Sequence, residues 1–180
     1  MPVKRVPGPA LKAVTAMAEE LNKLEARAGW LETAKYEDGT PVAYVASIQE
    51  FGHGPIPPRP FIRPTVEAKQ AEWTAKTAKL LKSATSAKAV MDVMGAVVAG
   101  DFREAIAAVV DPPLSPLTLL ARKHRKKTGS KVSGGKQLGQ IWEKAAKDGP
   151  PDVSGVSTKP LLDTRIMLNT LTNETVPRET

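Results

Sequence analysis

The chain has 180 residues, 41% apolar and 25% charged, with no cysteine, two histidines and a formal charge of +7. That length suits one domain, residues 1–180, burying roughly two-thirds of its unfolded surface, and the composition is that of a folded globular protein. The lack of cysteine excludes disulfides, thiolate metal centres and cysteine nucleophiles; two histidines leave little for a metal site; no apolar run nears the ~18 residues of a membrane span.

The first fourteen residues, MPVKRVPGPALKAV, are basic and lack an apolar signal core, which predicts a protein kept in a reducing compartment. Residues 9–28 read as a long amphipathic helix, with Leu11, Val14, Met17 or Ala18, Leu21 and Leu24 recurring every three or four positions and Gly29 closing it. A hairpin is expected next, with strands at 30–36 and 41–48 about an Asp38-Gly39 turn, although a helix from Ala43 onward fits the same residues. Residues 50–64, EFGHGPIPPRPFIRP, hold five prolines and two glycines, so a stiff extended loop is expected there.

Pro64 opens a long helix to about residue 83, with Val66, Gln70, Trp73, Thr77 and Leu80 facing inward. Residues 86–99 predict another helix, and Asp101 caps a separate short one carrying Phe102, Ile106 and Val109. Asp111, Pro112 and Pro113 end it. Ser115 and Pro116 then suit the cap and first turn of a helix that runs into a basic segment. Residues 138–147 predict a small helix, 148–159 a linker within the domain, and Asp163-Thr164 the cap of a last helix before a polar tail. The sum is an α+β fold: a small antiparallel sheet, a long N-terminal helix and several further helices.

Motifs for chemistry are nearly absent. Glu50 to His53 superficially matches a zinc-protease helix but lacks the second histidine in register, and the surrounding glycine and proline oppose a helix. GSKVSGGK, residues 129–136, has the flavour of a phosphate loop. Gly135 displaces the lysine, however, and Gln137 stands where a hydroxyl should hold magnesium, so a nucleotide site is rejected. No nucleophile–base pair is visible, and no cofactor or metal is expected.

Charge is concentrated in one place. Arg122, Lys123, Arg125, Lys126, Lys127, Lys131 and Lys136 fall within RKHRKKTGSKVSGGK, which has no acid; the other 19 basic residues face 19 acidic ones. Residues 122–136 are therefore expected to form a flexible basic loop. Arg122, Lys123, Arg125, Lys126, Lys127 and Lys131 become candidates for contact with nucleic-acid phosphates or with an acidic partner. A merely solvated loop is the bland alternative.

Two segments rise above this background: VAYVASIQEFGHGPIPPRPFIRPTVE, residues 42–67, and SPLTLLARK, 115–123, taken with KPLLDTRIMLNTL, 159–171. Together they resemble the tailed-bacteriophage virion-morphogenesis family of tail-completion and neck proteins. The family's pattern departs at Arg165, where it carries glycine, and at Thr170, where it carries serine. The resemblance implies a non-enzymatic virion protein, present in the host cytoplasm during assembly. It implies a homo-oligomeric ring, expected to be hexameric, at the proximal end of the tail or in the neck. Its partners would be the tail terminator or tail tube and the head–tail connector, with non-specific contact to genomic DNA and none to a membrane.

The residues suit such docking. A stiff proline loop has little entropy left to lose on binding. Glu50, Phe51, Ile56, Arg59, Phe61 and Arg63 are the expected interface, Arg59 foremost, because arginine is rarely buried unpaired. Phe61 has a bland alternative as a plug in its own subunit's core. The rival function is a nucleic-acid-binding accessory protein using residues 122–136.

Overall fold

The computed structural model describes residues 8–132, 134–147 and 152–179. Nine elements follow in chain order: α1 (Pro9–Asn22), β1 (Leu24–Gly29), α2 (Val42–Phe51), α3 (Ile62–Leu81), α4 (Ala87–Ala108), α5 (Pro116–Thr128), α6 (Gly134–Ala145), α7 (Ile166–Asn169) and β2 (Thr172–Pro177). The fold is α+β, as expected, but its sheet is not the predicted hairpin.

The sheet pairs the two ends of the chain. β1 and β2 run antiparallel, with Leu24 opposite Pro177 and Gly29 opposite Thr172. The predicted first helix therefore stops at Asn22. Its last five residues, 24–28, take the extended form because β2 supplies their backbone partners, a long-range pairing that outweighs local helical spacing. The expected polar tail is that partner strand. Leu11, counted in the helix stripe, has a side chain outside the described residues, as do residues 148–151 of the predicted linker.

The expected turn forms: Gly39 has φ 81°, Tyr36 N donates to Thr40 O and Gly39 N donates to Tyr36 O, both at 2.9 Å. Its flanks, however, share one isolated bridge, Lys35 with Pro41, and the second predicted strand is helix α2. Val42, Ala46 and Glu50 share its buried face at four-residue spacing. The alternative reading of these residues, a helix from Ala43 onward, is the one that forms.

Helix α4 is the centre of the molecule and packs against α1, α3 and both strands. Its buried stripe, Val90, Met94, Ala99, Phe102 and Ile106, runs unbroken past Gly100 and Asp101, where two helices were predicted. Asp101 caps nothing; its carboxylate accepts the indole N–H of Trp73 at 2.6 Å. Tertiary contact keeps the helix going through a local stop signal. The side of α3 turned to α4 carries Ile62, Trp73, Thr77 and Leu80, whereas Val66 and Gln70, predicted inside, are exposed.

One apolar cluster gathers Val42, Ala46, Phe61, Ile106, Leu161 and Met167, and a second holds Ala99, Phe102 and Leu171. Trp30 touches both; its indole N–H donates to Met167 O at 2.8 Å. Ser115 caps α5 as expected, its hydroxyl accepting from Thr118 N at 3.2 Å. The basic segment is not one flexible loop. Through residue 128 it is the last two turns of α5, closed by Gly129 in the left-handed conformation at φ 70°, and from Gly134 it is helix α6.

Candidate functional site

The proline segment folds back on α2. Gly52 turns the chain at φ 78°, where a Cβ would lie 3.1 Å from Ile56 O and from the Pro58 ring. His53 and Ile56 exchange backbone hydrogen bonds of 3.0 Å, and Arg59 N donates to Gln49 O at 2.6 Å. The start of α3 is thereby laid against the last turn of α2.

Glu50 joins the two helices. Its side chain is 2% exposed, and its carboxylate accepts from the amides of Phe61 (2.7 Å), Ile62 (2.9 Å) and Arg63 (3.0 Å) and from Arg63 Nε (3.0 Å). One anion thus satisfies the free amides at the start of a helix and meets the positive end of its dipole. Burial pushes the Glu50 carboxyl up, but the amides of Ile62, Arg63 and Phe61 and the Arg63 guanidinium outweigh it and hold the group below its usual value.

Three expected interface residues are therefore corrected. Glu50, Arg59 and Phe61 are all at most 5% exposed and hold their own chain together. Arg59 Nε donates to Pro112 O at 2.8 Å, with longer bonds from its terminal nitrogens to Pro113 O and Gln49 Oε1. Phe61 fills the core beneath α3 and meets Trp30 edge-on at 6.1 Å, the bland alternative. As an exposed contact Arg59 is corrected: its guanidinium turns inward because backbone carbonyls from a distant loop, invisible in the sequence, accept hydrogen bonds from it, while its charge meets no carboxylate among the described residues.

Phe51, Ile56 and Arg63 do face outward. Phe51 is 65% exposed, and the Arg63 guanidinium lies 4.8 Å above its ring while Nη2 donates to Glu50 O. Tyr44, two turns earlier on the same face of α2, is 54% exposed and was missed. Its spacing of seven from Phe51 carries meaning only once the segment is known to be helical.

The basic residues divide likewise. Arg122 is buried, donating to the backbone oxygens of Ser157, Lys159 and Pro160 at 2.7–2.9 Å, so it tethers α5 to the last segment rather than meeting a partner at the surface. Arg125 pairs with Asp163 at 2.5 Å, Lys123 with Asp152 at 2.6 Å and Lys131 with Asp38 at 3.1 Å. The Asp38 carboxyl drops to about 2, chiefly through hydrogen bonds from Thr40 and then from Lys131. Lys126 donates to Gly155 O at 2.7 Å; Lys126, Lys127 and Lys136 are exposed.

A groove of about 310 Å³ opens between α2, α5 and the segment after Lys159. Arg59, Arg122, Arg125, Lys131 and Asp163 line it, and it runs into a second groove of about 280 Å³ beside Tyr36 and Asp38. Asp163, expected as a helix cap, instead reaches both Arg125 and Arg122, partners that the sequence does not show because they lie some forty residues away. Among the described residues no group of three or more His, Asp or Glu could hold a metal ion. No family model, no curated protein and no solved structure matches this chain.

Proposed function

We propose that the chain is a non-enzymatic structural subunit of a tailed-phage neck or tail end. It joins copies of itself in a ring, expected to be hexameric, and meets the tail terminator or tail tube and the head–tail connector in the virion. The observation that supports the reading is the convergence of the segments that carry the resemblance. Val42 and Ala46, Phe61, and Leu161 and Met167 share one apolar cluster. Glu50 caps the helix that the PRPF sequence begins, and Arg122 of the ARK sequence holds the backbone of KPL at Lys159 and Pro160. That residues of all three segments meet at one joint supports the reading.

The joint leaves Phe51 exposed beside Arg63, with Tyr44 exposed on the same face of α2 and Ile56 partly so, aromatic and arginine side chains of the kind that anchor protein interfaces. A closed ring needs such a patch to meet a different one on the next copy. The rival nucleic-acid reading retains the exposed Lys126, Lys127 and Lys136, but Lys123, Arg125 and Lys131 already face acids of their own chain.

The test is a phage genome lacking this reading frame, examined by electron microscopy of the lysate. Filled heads and unattached tails, restored to joined particles by the wild-type chain but not by Phe51→Ser with Tyr44→Ser, are expected. Infectious particles of normal yield without the chain would end the reading.

A further inference from the structure

Charge is unbalanced in the groove between α2 and α5. Four cationic side chains line it, Arg59, Arg122, Arg125 and Lys131, against one carboxylate, Asp163. Asp163 is held by Arg125 at 2.5 Å and lies 3.6 Å from Arg122; Asp38, just outside, takes Lys131 at 3.1 Å. That leaves Arg59. It is 5% exposed and has no carboxylate within ion-pair distance among the described residues.

A guanidinium has five donors. Arg59 makes three hydrogen bonds, one of 2.8 Å to Pro112 O and two longer ones of 3.3 and 3.4 Å. A buried cation without a counter-ion is costly, and an anion that reaches it recovers much of that cost. Burial lowers the Arg59 pKa with no acid opposing it, and at Arg122 Asp163 opposes burial while Arg125 and Arg59 add to it.

We propose that this groove binds a carboxylate from an extended acidic segment of a partner protein, with Arg59 at its floor and Arg125 and Lys131 at its rim. The guanidinium fork matches a planar carboxylate side-on. Leu114, Ala121 and Val132 between the cations offer apolar wall to the aliphatic stem that carries it. A DNA duplex displays its phosphates along a broad backbone, which meets exposed lysines such as Lys126 and Lys127 before a guanidinium recessed this far. The site does not depend on the neck reading, since any partner with an acidic segment fits it.

The experiment measures binding of a labelled hexaglutamate peptide to the full chain at low salt by fluorescence anisotropy, with hexaglutamine and a short DNA duplex alongside. Hexaglutamate should bind and hexaglutamine should not. Arg125→Gln with Lys131→Gln should weaken binding about tenfold, whereas Lys126→Gln with Lys127→Gln, an equal loss of charge outside the groove, should change it less than about twofold. Asp163→Asn removes the resident competitor and should tighten binding several-fold, a gain that a misfolded variant could not show. Equal weakening by both double variants, tighter binding of the duplex, or no binding of hexaglutamate by the folded chain would each overturn the proposal.

Discussion

Glu50 carries more of the local architecture than any other single side chain in the proline segment. Its one carboxylate takes three amides and a guanidinium at 2.7–3.0 Å while 2% exposed. Glu50→Gln keeps the size but loses the charge, and should cost about 2 kcal/mol in urea unfolding at neutral pH, the range for charge-assisted bonds. The sign of its pH dependence follows from its depressed folded pKa. Its stabilisation is fully present above the unfolded value of 4.5 and is lost as pH falls through the lower folded value. Wild type should therefore lose stability on acidification more steeply than Glu50→Gln, read as urea midpoints across a pH series. Parallel curves would remove Glu50 from the acid response. The EFG and PRPF letters were legible in the sequence, but their purpose was not. A glutamate beside an exposed phenylalanine reads equally as contact or cap until the chain is seen to fold back.

At the scale of elements, the decisive places are those where local signals were outvoted. Residues 24–28 have helical spacing and are a strand, because β2 offers backbone partners from the other end of the chain. Asp101 has the form of a cap and sits inside α4, because Trp73 takes its carboxylate and Phe102 and Ile106 continue the buried stripe. The cap expected at Ser115 does form at the start of α5, whereas that expected at Asp163-Thr164 does not, α7 being preceded by Arg165 with no side-chain cap. Arg165 is the sharpest element-level case. It precedes α7 at φ 58°, the left-handed region, and is the one non-glycine residue there among the described residues. The backbone there has the conformation that glycine favours. Because the side chain is exposed, Arg165→Gly should raise stability by about 0.5–1 kcal/mol, seen as a higher melting temperature. A lower one would mean that the arginine makes a compensating contact.

For the whole molecule, the two ends of the chain close on α4. Asn173 of β2 lies so near Gly95 of α4 that a Cβ there would sit 2.9 Å from its amide nitrogen, and Arg103 donates to Leu171 O. A chain ending at Leu171 keeps every helix but loses β2, leaving β1 unpaired and one face of α4 open; an isolated strand has no stability of its own. Thermal unfolding of that truncated chain should be broad and non-cooperative, whereas removal of α6 as a separate variant should leave a sharp transition. Retention of a sharp transition without β2 would place the folding core elsewhere.

Composition, charge placement, the Ser115 cap and the turn at Gly39 were determined by the sequence alone, because each depends on residues within a few positions of one another; the α+β class was legible too, but not which strands make its sheet. Tertiary structure decided the rest: which segment pairs with β1, that Arg59 and Arg122 turn inward onto carbonyls from other parts of the chain, and that a basic stretch is spent largely on its own acids. Those outcomes depend on which distant groups arrive at a given atom. Local periodicity holds no record of that.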